Sequence, residues 1–128
     1  MFLNRNQQNS FSLLETILKS STVSRTINVG GHAFEGPFPI TNTWNLEDKS
    51  GIYAIFSLVS GIYYVIDVGE SSQVKSRIET HDRKTSWLYQ STGTPYMAVL
   101  YTPYAQQSER MNIEQSLRQQ FHPPCGKR

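Results

Sequence analysis

With one cysteine, Cys125, among 128 residues, the chain can form no internal disulfide and no cysteine-rich zinc site. Long apolar runs are missing as well. None approaches the length that crosses a bilayer, and the opening MFLNRNQQNSF lacks the apolar core of a secretory signal, so a cytoplasmic protein away from membranes is expected. Charge of either sign is modest. A formal net charge of +2 and a pI near 8.8 exclude binding by bulk basicity alone while leaving a nucleic-acid partner open. There is no internal repeat or low-complexity tract, and the length suits one core rather than two.

The most informative stretch is Gly51 to His81, GIYAIFSLVSGIYYVIDVGESSQVKSRIETH. GIYAIF and IYYVIDV are rich in β-branched and aromatic residues, and the intervening SLVSG predicts a β-hairpin whose second strand stops at Gly69. From Ser71 or Ser72 the period changes. Val74 and Ile78 are four apart, as are Arg77 and His81, which predicts a helix carrying a fixed cation and an imidazole on one face.

The flanking segments read as support. Ser12 and Glu15 have capping-box spacing, and Phe11, Leu14, Ile17 and Leu18 form an apolar stripe, predicting a helix to about Ser20. Residues 22–40 suggest an irregular hairpin around Gly30–Gly31 followed by an extended loop, and residues 41–50 a polar linker anchored by Trp44. Residues 82–95 read as a loop or short helical turn. Tyr96 to Thr102 is a third strand, covered on both faces and central in the sheet. A last helix covers 106–121, with Ile113, Leu117 and Phe121 at i+4 spacing and Pro123–Pro124 as its stop.

Glu114, Arg77, His81 and the hairpin tyrosines together form a kit for phosphodiester hydrolysis. A guanidinium grips the phosphate as negative charge concentrates on its oxygens. A carboxylate anchors a divalent ion that keeps several waters, and a phenol or imidazole takes a proton from the attacking water. Each residue alone also has an ordinary reading: Arg77 solvated, His81 facing a helix C-terminus, Glu114 paired with Arg118 at i+4, and Tyr53, Tyr63 and Tyr64 as strand residues.

In this order and spacing the residues resemble the GIY-YIG nuclease superfamily. Its first motif stands as Gly51, Ile52, Tyr53, and its second as Asp67, Val68, Gly69. Arg77 lies eight residues beyond Gly69, where the family has an arginine, and His81 four further on, where several members have a histidine. The resemblance implies an α+β fold with a small three-stranded antiparallel sheet flanked by helices, residues 51–128 forming the nuclease domain and 1–50 an extension packed on it. It implies a divalent-metal-dependent endonuclease acting on DNA in preference to RNA, with Tyr53, Arg77, His81 and Asp67 as catalytic residues. Gly69, Ser71 and Lys75 would lie along the substrate, and Glu114 would ligate Mg2+ or Mn2+. Three positions depart from the family pattern: Asp67 replaces the second motif's tyrosine, Gly126 stands where many members have asparagine, and Glu70 follows the motif glycine where several have a cation. The alternative is a catalytically inactive nucleic-acid-binding module on the same fold.

Overall fold

The structure is a computed structural model, and it describes residues 25–126. The chain builds β1 (Thr26–Val29), β2 (His32–Pro39), a 3₁₀ turn (Thr43–Asn45), β3 (Gly51–Val59) and β4 (Ile62–Ser71). Helix α1 (Val74–Glu79), helix α2 (Lys84–Gln90), β5 (Tyr96–Tyr101) and helix α3 (Gln107–Phe121) follow. The helix expected before Ser20 lies outside the described residues.

The sheet has five strands, not three, all antiparallel and in the order β1-β2-β5-β3-β4. The hairpin around Gly30–Gly31 exists, and β2 pairs along β5, extending the sheet. β1, TINV, alternates polar and apolar with its burial, whereas β2 is interrupted by Gly36, Pro37 and Pro39 and is held in the sheet by pairing with β1 and β5. Gly30 and Gly31 both have positive φ (59° and 93°), as a two-residue hairpin turn requires. A Cβ on Gly30 would also meet Leu117 Cδ2 at 2.5 Å, because α3 packs onto the turn. β5 is the middle strand, as its unbroken apolar run predicts.

Both faces of the sheet are covered. Ile27, Phe34, Ile52, Ala54, Phe56, Val68 and Ala98 pack with Leu117 of α3 on one side. Tyr53, Ile55, Ile66, Met97 and Val99 pack with Val74 and Ile78 of α1 and Trp87 of α2 on the other. A bulge in β4 decides where the second motif points. Ile55 pairs with Asp67 and Phe56 with Val65, so Ile66 is the extra residue and Asp67 turns to the same face as Ile55, toward Trp87.

β4 is an edge strand whose free side is not left bare. Cys125 N–H donates to Ile66 C=O at 3.0 Å, and Arg118 Nη2 of α3 donates to Val68 C=O. The C-terminal helix and the segment after it are thereby tied to the strand that carries the second motif.

Candidate active site

Tyr53, Gly69, Glu70, Arg77, Arg83, Gln107, Met111 and Glu114 line one cleft of about 220 Å3, between the end of β4, α1, the start of α2 and α3. It adjoins a second hollow bordered by Glu70, Ser71, Ser72, Arg77, Gln107 and Arg110. The sequence-predicted Tyr53, Gly69, Arg77 and Glu114 are brought together, with Ser71 next door. Lys75 lies on α1 beside Asp48 and does not line the cleft.

Glycine is required at 69 by close approach. Tyr53 and Gly69 are register partners, and the Tyr53 side chain crosses over Gly69, so a Cβ there would stand 2.1 Å from Tyr53 Oη. The Tyr53 ring is buried and its hydroxyl meets His81 Nε2 at 2.7 Å. Burial, with Asp67's charge, pushes the phenol up to about 12, against the pull of Arg77 and Arg83.

Arg77 and His81 do not share a helix face. Helix α1 ends at Glu79, and His81 falls in the link to α2, where its ring turns inward between Tyr53 and Trp87. The backbone N–H of Arg83 donates to His81 Nδ1 at 2.9 Å. That assigns the proton of the neutral imidazole to Nε2, which then donates to Tyr53 Oη. Burial, and next the charges of Arg77 and Arg83, lower the His81 pKa to about 4 despite Asp67 and Asp82. The ring is neutral at physiological pH. Arg77 Nη2 meets the exposed Asp82 Oδ1 at 3.3 Å and keeps its open flank on the cleft.

The structure places Asp67 beneath the cleft rather than in it. Its carboxylate has no solvent exposure and accepts five hydrogen bonds. Oδ2 takes Arg83 Nε (2.8 Å) and Trp87 Nε1 (2.7 Å), while Oδ1 takes Arg118 Nη2 (2.8 Å), Arg83 Nη2 (3.3 Å) and Val68 N (2.8 Å). Burial alone would raise its pKa. The bonds from Arg83 and Trp87 outweigh burial, and the carboxyl is held below its ordinary value.

Arg118 links this cluster to the candidate metal ligand. Besides Asp67 and Val68 C=O, it donates to Cys125 C=O (3.0 Å) and, at a long 3.4 Å, from Nε to Glu114 Oε2. Gly126 closes the cluster from above, with φ at +72°; a Cβ on it would lie 2.6 Å from Arg118 Nη2 and 3.0 Å from Arg83 Cζ. Glu70, at the rim, is paired with Arg110 Nε at 2.9 Å.

Sequence reasoning missed Arg83, Arg118 and Trp87. A signal existed: an aspartate inside an apolar strand needs donors or a counter-ion.

A search of solved structures finds this architecture. A point-mutant crystal structure of the GIY-YIG N-terminal endonuclease domain of UvrC from Thermotoga maritima, bound to its catalytic divalent cation, superposes with a TM-score of 0.51. The match covers 69% of this chain and 93% of that domain at 12% identity. The chain has the GIY-YIG endonuclease fold. Two further point mutants of the same domain, each also bound to its catalytic divalent cation, match over the same shares at TM-scores of 0.49 and 0.48 and identities of 12% and 14%. No protein-family model and no curated protein matches the chain by sequence.

The donor set of the cleft suits one kind of metal ion. Two carboxylates line the cleft, Glu114 and the Arg110-paired Glu70, and no group of three or more His, Cys, Asp or Glu gathers among the described residues. That suits a hydrated hard cation that keeps most of its waters, and does not suit zinc, which takes three or four protein ligands. No helix among the described residues is long and apolar enough to cross a membrane.

Proposed function

We propose that this chain is a cytoplasmic, divalent-metal-dependent endonuclease hydrolysing phosphodiester bonds of nucleic acid, DNA in preference to RNA. The residues given roles below fall after Gly51, while β1 and β2 extend the same sheet through β5. The observation that carries the reading is that Tyr53, Arg77 and Glu114, from three separate elements, line one cleft. Arg77 holds the scissile phosphate and meets the charge that builds on its oxygens. Tyr53 faces the attacking water. His81, with both nitrogens committed, acts as the donor that fixes the phenol in place. Glu114 would hold Mg2+ or Mn2+, which supplies Lewis-acid stabilisation of the phosphate and leaving oxygen. Gly69 lets the backbone pass close to Tyr53, and Ser71 extends the wall along the substrate.

A second reading, an inactive nucleic-acid-binding module, is favoured by one contact: the Arg118 guanidinium approaches the same Glu114 carboxylate that a cation would use. Incubating the protein with plasmid, short duplexes and RNA, with magnesium or manganese, separates the two. Cleavage abolished by Arg77→Ala and Glu114→Gln supports the enzyme; binding without cleavage supports the module.

A further inference from the structure

We propose that Arg83 is a second phosphate-binding guanidinium of the cleft, held there by Asp67 as its positioning residue; the inference rests on the nuclease reading above. Arg83 lines the same cleft as Arg77, Tyr53 and Glu114, with 26% of its side chain exposed, so its charge faces the space a phosphate would enter. Asp67 engages the Nε and Nη2 edge, which fixes the plane of the guanidinium and leaves Nη1 without a partner among the described residues.

Neutralising Asp67 does not by itself call for Arg83 at the cleft. Arg118 already meets the same carboxylate, and it is consumed by Val68 C=O, Cys125 C=O and Glu114. Every nitrogen of Arg118 is thereby engaged, and the donor left over in the cluster is Arg83 Nη1. Gly126 preserves the arrangement, because a Cβ at that position would press on Arg83 Cζ at 3.0 Å. The anion that fits is a phosphodiester oxygen of the nucleic-acid backbone, with Arg77 on one side and Arg83 on the other. Asp67, beneath the cleft, thus holds a clamped cation at its surface.

The test is the salt dependence of binding together with the split of kcat from KM. A short fluorescein-labelled DNA duplex is titrated onto Glu114→Gln protein with Arg83 intact, as Arg83→Met, or as Arg83→Lys. Arg83→Met is expected to reduce the slope of log affinity against log salt by about 0.9, one phosphate contact. In the otherwise wild-type protein it should lower kcat/KM about a hundredfold. Arg83→Lys should keep the slope but lose kcat. Asp67→Asn, with the charge of Arg83 present but unclamped, should likewise lose kcat with KM little changed. If Arg83→Met, folded by circular dichroism, retains both slope and kcat/KM, the proposal is overturned while the nuclease reading stands. If that variant does not fold, wild-type kcat in Arg83→Lys overturns it equally. If the wild-type chain neither binds nor cleaves nucleic acid, it is the nuclease reading that fails, and this proposal with it.

Discussion

Asp67 and Gly126 meet across one volume: a Cβ on Gly126 would lie 2.9 Å from Asp67 Oδ1. Two of the three positions that depart from the motif pattern the sequence resembles thus meet in one structural feature. Asp67 draws Arg83 and Arg118 into the space above β4, and a side chain at position 126 has nowhere to go. Gly126→Ala should destabilise the fold by about 1–2 kcal/mol from its left-handed backbone alone, with the contact to Arg118 adding to it. In an Arg118→Ala background the added part should vanish, as a double-mutant cycle on thermal unfolding would reveal.

Asp67 itself is a stability residue of the first rank. Asp67→Ala leaves Arg83 and Arg118 facing each other without their shared counter-ion, at an expected cost of about 3–5 kcal/mol. Urea unfolding measures it, and a change under about 1 kcal/mol would contradict the role given to the cluster.

Gly69→Ala puts a methyl group into the Tyr53 ring, whose Oη and Cζ stand 2.1 and 2.2 Å from the new atom. The strand pairing cannot yield without breaking the register with β3, so Tyr53 must move off His81. Overpacking of this kind costs about 1–3 kcal/mol, and activity should fall further than the melting temperature suggests. Comparing cleavage rate with thermal stability for Gly69→Ala and Tyr53→Phe tests whether the two losses share a cause.

The hairpin, the central strand and the last helix were legible because each carries its own periodicity: the apolar runs of β3, β4 and β5, and the i+4 row of Ile113, Leu117 and Phe121. The cleft's Tyr53, Gly69, Arg77 and Glu114 were legible from motif spacing. Other features depend on tertiary structure. β2, interrupted by Gly36, Pro37 and Pro39, joins the sheet by pairing with β5, which no local pattern records. His81 left its expected helix face because α1 stops at Glu79 and the Arg83 N–H captures the imidazole, although nothing in ETHDR marks a stop. The direction of Asp67 depends on a bulge at Ile66 that alternation alone would place on the other face.

The neutral, buried His81 makes the fold acid-sensitive. Its folded pKa, lowered from 6.5 to about 4, means that the unfolded chain takes up a proton in this window that the folded chain refuses. Stability is therefore full above pH 6.5 and falls as pH drops toward 4, by about 3 kcal/mol for a shift of this size. Asp67, also lowered, acts in the same direction at still lower pH: its contribution is present above its ordinary 3.8 and is lost as pH falls through the folded value. Urea midpoints across pH 4 to 7 should slope upward, and His81→Gln should flatten them.

The most direct measurement is cleavage of nucleic acid by purified wild-type, Arg77→Ala and Glu114→Gln proteins with magnesium or manganese, and with EDTA. Metal-dependent cleavage by the wild type, reduced at least a hundredfold in both variants, is expected if Tyr53, Arg77 and Glu114 form one site. Cleavage that survives both substitutions, or that persists in EDTA, would contradict it.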